Sequence, residues 1–127
     1  MLVQMAKIAG LMVVGVVGRS SKVEFAAQLG CDAVVDKQTQ DLWSEAEAAA
    51  KRLQPGSGGK FAAVFDANGY TTLSGGFERL QPGGRLVVYG FHSMLPREGG
   101  RLGVCQWVGM ALQVVTLTLT SNSNLQH

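Results

Sequence analysis

Charge is scarce in this chain. Only 16% of its 127 residues are Asp, Glu, Lys or Arg, and the formal net charge is +2. That charge is too small and too evenly spread to form the basic stripe that nucleic-acid binding needs. With 46% hydrophobic residues, the composition argues for a folded globular piece, and the length suits one domain with a real core. Cysteine is equally sparse. Cys31 and Cys105 lie far apart, with no CxxC partner and no neighbouring His, so neither a zinc site nor a disulfide framework is indicated. Buried free thiols in a reducing compartment, hence a cytoplasmic setting, are expected. The first residues carry no signal-peptide cleavage pattern, and no GxGxxG occurs anywhere. A membrane span is excluded because Gln106, Gln113 and several threonines interrupt the apolar stretch after Pro96, which is barely long enough to cross.

What is present centres on Met12–Lys22, MVVGVVGRSSK. Met12, Val13, Val14, Val16 and Val17 form a β-branched apolar run, which predicts a strand covered on both faces and ending at Gly18. Ser21 followed three residues later by Glu24 fits a capping box, so a helix is expected from about Lys22. Its inner face would hold Val23, Ala26 and Ala27, widened by Phe25 and Leu29, and Gly30 would end it. Ahead of the strand, Leu2, Met5, Ala6 and Ala9 recur at helical spacing, predicting an amphipathic helix that ends near Gly10.

Further along, Ala33–Val35 reads as a short strand and Asp41–Gln54 as a helix with Leu42, Ala46, Ala49 and Leu53 on one side. Pro55–Gly59 breaks the chain. Lys60–Asp66 then reads as a strand, Thr72–Leu80 as a helix weakened by Gly75 and Gly76, and Arg85–Tyr89 as a strand. Alternating strands and helices predict an α/β fold, a doubly wound parallel sheet of Rossmann-like type. Ligands of such sheets bind outside the carboxyl ends of the strands. Those ends are Gly18–Ser21, Asp66–Gly69 and Gly90–Ser93, and they are expected to converge on one crevice.

The first of these ends carries the most chemical information. An acid at the tip of the second strand of a dinucleotide-binding sheet takes the ribose hydroxyls, whereas a nearby Arg accommodates a 2′-phosphate. No acid stands between Gly18 and Lys22. Arg19 offers a planar fork, Ser20 and Ser21 offer hydroxyls, and Lys22 adds a point charge. The set suits NADPH rather than NADH, although two cations opening a helix are also an ordinary solvated arrangement.

The segments VVGVVGRSSKVEFAAQLGCDAVVD, FAAVFDANGYTTL and LQPGGRLVVYGF, in this order, resemble the cofactor domain of medium-chain dehydrogenase/reductases. They are most similar to the zinc-independent quinone oxidoreductase branch, which includes the vesicle amine transport protein homologues. The resemblance runs over 1–102, expected to be a partial NADPH-binding domain, and leaves 103–127 as an apolar tail belonging to its C-terminal part. It implies reduction of a quinone, enone or related carbonyl compound by hydride transfer. By position it implicates Ser20, Ser21 and Lys22 at the 2′-phosphate, and Asn68, Gly69, Gly90 and Phe91 beside the nicotinamide half. The catalytic residues stay unassigned. Against the family pattern, the first strand and its glycine-rich turn are missing from the front of the chain. An isolated chain of this kind is expected to be inactive. The tail, whose Val104, Val108, Ala111 and Val115 fall on one helical face, is expected to be buried against a further domain or in a contact between identical subunits.

Two other readings fit the same residues. FAAVFDA and QPGGRLVV also resemble the later half of an S-adenosylmethionine-dependent methyltransferase, but such enzymes place an acid where this chain has Gly18 and Arg19. A non-catalytic product that binds nucleotide or pairs with a longer subunit is the other. Single residues add little: His92 reads as a turn residue, Trp43 and Trp107 as packing, Asp66 as an acceptor for loop amides, and Tyr89 as buried with its hydroxyl on a partner. Finally, the common strand order 3-2-1-4-5-6 would leave Met12–Val17 and Lys60–Phe65 facing a gap where the first strand belongs. Edges left unpaired there predict aggregation or a partly molten chain.

Overall fold

A computed structural model describes residues 1–69 and 71–90. The chain divides into two compact units, Met1–Phe61 and Ala62–His127, each taken by itself below. The first unit runs α1 (Leu2–Ile8), β1 (Val14–Val17), a single 3-10 turn at Ser20–Lys22, α2 (Val23–Gln28), β2 (Ala33–Asp36), α3 (Leu42–Leu53) and a second 3-10 turn at Pro55–Ser57. Next come β3 (Phe61–Asp66), which begins at the boundary, α4 (Leu73–Glu78) and β4 (Leu80–Val88).

In the first unit β1 and β2 are parallel, with Val14 opposite Ala33 and Val17 opposite Asp36. The strand ends are therefore level, and the two loops that leave them start side by side. Helix α3 packs on both strands through a face of small residues: Ala46, Ala49 and Ala50 are buried. Alanines bring a helix close to a sheet, and Val35, 2% exposed, fills the space beneath. At about 0.8 kcal/mol per buried methyl-sized group, three alanines supply only a small share of a stability of roughly 5 to 15 kcal/mol. The start of α3 is fixed by Asp41, whose Oδ1 accepts from the Ser44 amide at 2.8 Å, and Gly58 in the left-handed region follows the turn that ends it.

Several side chains depart from the sequence expectation. The β1 strand is not covered on both faces: Met12 and Val16 are exposed, since α3 and the helices nearby reach only part of it. Helix α1 turns Val3 and Ala6 inward and leaves Met5 and Ile8 exposed, because Val3 and the stem of Lys7 lie against Gly30. Phe25 is 61% exposed; at six residues α2 buries only Ala26. Cys31 is half-buried instead of fully buried. Its Sγ would stand 2.7 Å from a β-carbon at Gly15, so that strand position has room for glycine alone. Partial burial together with the Asp32 charge raises the thiol pKa, against a smaller opposing effect of Lys7. Asp32 ties α1 to the sheet. Both its oxygens lie 2.8 Å from Lys7 Nζ, and Oδ2 accepts from the Val13 amide at 2.7 Å.

In the second unit β3 and β4 are hydrogen-bonded neighbours. Strand β4 starts at Leu80, five residues earlier than Arg85, because the Pro82-Gly83-Gly84 stretch continues the strand instead of ending the helix before it. From Gly84 to Tyr89 burial alternates, the period of a half-buried strand. Tyr89 falls on the outward phase with Arg85 and Val87 and is 58% exposed, which overturns its expected burial. Helix α4 is shorter than Thr72–Leu80 and buries Leu73 and Gly76. Among the described strands each has one hydrogen-bonded neighbour. His92, Cys105, Trp107 and the 103–127 tail lie outside the described residues.

Candidate functional site

The loop after β1 is built from both strands. Lys22 N donates to Arg19 O at 3.0 Å, closing the 3-10 turn, and Arg19 itself is extended at φ −147° and ψ 134°. The expected capping box does not form. The residue at the head of α2 is Lys22, with no side-chain cap, and Glu24 instead accepts from Gln28 Nε2 at 3.4 Å. Ser21, the expected cap, is taken up inside the 3-10 turn, and that turn puts the preceding Ser20 within reach of β2, where Ser20 Oγ donates to Asp36 Oδ2 at 2.5 Å.

Asp36 is 7% exposed and accepts four further bonds beyond its strand. Gln38 N donates to Oδ1 at 2.9 Å, and Thr39 Oγ1 donates to Oδ2 at 3.2 Å. The Thr39 and Gln40 amides donate to its carbonyl, the latter at 2.9 Å. Ser20 first, then the Gln38 amide, hold its carboxyl below the usual carboxylate range, against desolvation. Sequence reasoning missed Asp36. It searched for an acid within Gly18–Lys22, whereas the parallel register puts Asp36 beside Val17; the signal was the acid closing the next strand, AVVD.

Three cations stand in the two loops that leave β1 and β2. Arg19, Lys22 and Lys37 are exposed, and none forms an ion pair among the described residues. The Lys37 stem lies across Gly18: its Cε would be 3.2 Å from a β-carbon there. The glycine at the strand end thus makes room for a lysine. The Gly18–Lys22 set of Arg19, Ser20, Ser21 and Lys22 is brought together by one turn, with Ser20 committed to Asp36 and the other three side chains open to solvent.

The second unit shows the same device at β3. Asp66 is 5% exposed and folds its own loop: Oδ1 accepts from Asn68 N at 2.7 Å and Gly69 N at 3.1 Å, and Thr72 Oγ1 donates to Oδ1 at 2.9 Å and Oδ2 at 2.8 Å. Asp66 therefore does accept from loop amides, as its position suggested. Gly69 holds φ +80°, which few other residues adopt without strain. The end of β4 meets this loop: Tyr89 N donates to Asp66 O at 3.0 Å, and a β-carbon at Gly90 would lie 2.5 Å from Ala67 O. Asn68, Gly69 and Gly90 are thus neighbours in one loop cluster. Phe91 lies outside the described residues.

The profile of a family described as zinc-binding dehydrogenase matches residues 1–123. A 2-haloacrylate reductase from a Burkholderia species is 32% identical over 93 residues, which cover 72% of this chain and 26% of that protein. Among solved structures, the Escherichia coli quinone oxidoreductase in complex with NADPH superimposes with a TM-score of 0.58 at 28% identity, over 83% of this chain and 30% of that one. A quinone oxidoreductase of Pseudomonas syringae pv. Tomato gives a TM-score of 0.59 at 27% identity, with the same coverage of 83% and 30%. The chain spans about 30% or less of the length of each of these relatives.

Proposed function

Because the chain belongs to the zinc-binding dehydrogenase family, within the medium-chain dehydrogenase/reductases, we propose that it forms the NADPH-binding portion of an oxidoreductase acting on a quinone, enone or related carbonyl compound. In this reading 1–102 is the cofactor domain and 103–127 its C-terminal remainder. Arg19, Ser20, Ser21 and Lys22 hold the adenosine end of the nucleotide, and Asn68, Gly69, Gly90 and Phe91 line the nicotinamide half.

The observation that carries it is the cationic turn after β1, in which Arg19 and Lys22 have no ion-pair partner among the described residues. A dianionic 2′-phosphate supplies the missing counter-charge, and Arg19 can meet it with two parallel N–H bonds. The relatives support the same reading, one solved with NADPH and one named a reductase, and they favour it over a methyltransferase. NADPH held there would supply a hydride, which the substrate would take together with a proton. The chain's own share is recognition. Charge at Arg19 and Lys22 selects the phosphate, and Gly90, lacking a β-carbon, lets the end of β4 pack against Ala67 in the loop that carries Asn68 and Gly69. The family is named for zinc, yet among the described residues no group of three or more His, Cys, Asp or Glu stands together to hold a metal ion. The described residues therefore do not fit that ion, and hydride transfer is derived without it.

Titration calorimetry of the chain with NADPH, NADH and S-adenosylmethionine tests the proposal. NADPH is expected to bind at least about tenfold more tightly than NADH, the worth of one charge-assisted hydrogen bond. Binding of S-adenosylmethionine without NADPH would replace the reductase reading by the methyltransferase one.

A further inference from the structure

Ser20 has one hydroxyl proton, and Asp36 takes it. The Asp36 carboxylate, held below the usual range, is ionised at neutral pH and can only accept. With Ser20 Oγ donating to Asp36 Oδ2 at 2.5 Å, what Ser20 turns toward a ligand is a lone pair. A phosphate dianion has no proton to offer that lone pair, whereas a ribose 2′-hydroxyl has one. Resting on the proposed nucleotide site, we propose that Asp36 sets coenzyme selectivity through Ser20, orienting its hydroxyl as an acceptor so that Ser20 serves a free ribose hydroxyl and tempers the preference for a 2′-phosphate.

Three observations point the same way. Asp36 is buried and held from several sides, by Ser20, the Gln38 amide and Thr39, so the orientation it imposes is fixed before any ligand arrives. The carboxylate also sets a negative charge beside the turn, which opposes a dianion directly. Finally, the cations around it, Arg19, Lys22 and Lys37, come from both loops and form no ion pair with it. The turn thus carries two opposed elements: exposed positive charge that draws a phosphate, and a buried acid that withholds one hydroxyl from it. Asp36 is a positioning residue in this scheme, acting through Ser20.

The test is the ratio of NADPH to NADH affinity. In Asp36→Asn the amide Nδ2 donates to Ser20 Oγ, and the hydroxyl proton is released toward the ligand, while the Asn oxygen still accepts from Gln38 N. NADPH affinity is expected to rise about tenfold relative to NADH, one added hydrogen bond to a charged group. Adding Ser20→Ala to Asp36→Asn should remove that gain. An unchanged ratio in Asp36→Asn, or an equal loss for both nucleotides, would overturn the proposal and mark Asp36 as a purely structural clasp. Should Asp36→Asn lack a cooperative melt, Ser20→Ala alone decides. A ratio shifted toward NADPH supports an acceptor role, and a selective loss of NADPH means that Ser20 donates to the phosphate and overturns it. A wild-type chain that binds neither nucleotide would defeat the underlying cofactor reading, an outcome distinct from each of these.

Discussion

Asp32 and Asp36 stand at the two ends of β2 and do different work with the same chemistry. Asp32 anchors α1 and the entry to β1 through Lys7 and the Val13 amide, and these bonds, Lys7 foremost, lower its pKa. Asp36 is lowered by Ser20 first and by the Gln38 amide next. Both folded values therefore lie below the reference of 3.8. The unfolded chain binds these protons more readily, so stability rises with pH through this window. Their contribution is complete above about pH 4 and is lost as pH falls through the folded values. Urea denaturation at a series of pH values from 2 to 6 should show this loss, and the slope should flatten in Asp32→Asn. An identical acid profile in wild type and variant would show that the Lys7–Asp32 pair contributes nothing.

At the scale of elements, the junction of β4 with the β3–α4 loop allows a sharp expectation. A β-carbon at Gly90 would meet the carbonyl of Ala67 at 2.5 Å, and that carbonyl belongs to a loop held by three donors to Asp66. Neither side can yield cheaply, so Gly90→Ala should cost about 1 to 3 kcal/mol, the usual price of overpacking, measured as a lower urea midpoint with unchanged slope. Wild-type stability in that variant would mean that the loop shifts freely. The strands and α3 were legible because their signals are local. The β-branched run fixes β1, and Asp41 with the alanine spacing fixes α3. The head of α2, the start of β4 and the exposure of Tyr89 were not. The bond from Ser20 to Asp36 across the sheet holds a 3-10 turn that takes up Ser21 before it can cap α2, and Pro82-Gly83-Gly84 continues a strand that turn chemistry alone would end. In each case a contact distant in sequence outweighs the neighbours. The row Arg19, Ser20, Ser21 and Lys22 was readable as side chains in sequence, but the acid that holds Ser20 became visible only through the strand register.

As a whole, the molecule presents two units that each end a strand in a buried aspartate and hang a loop from it. Among the described residues no helix is long and apolar enough to cross a membrane. The family places this α/β chain among oxidoreductases several times its length. The central claim is that the turn after β1 chooses NADPH by charge. Arg19→Glu tests it most directly, with both nucleotides titrated into the same preparation. The account predicts that NADPH affinity falls about 10- to 100-fold, the loss of charge-assisted bonds to a dianion, while NADH affinity holds, so that the preference reverses. The same NADPH to NADH ratio before and after the substitution would contradict it.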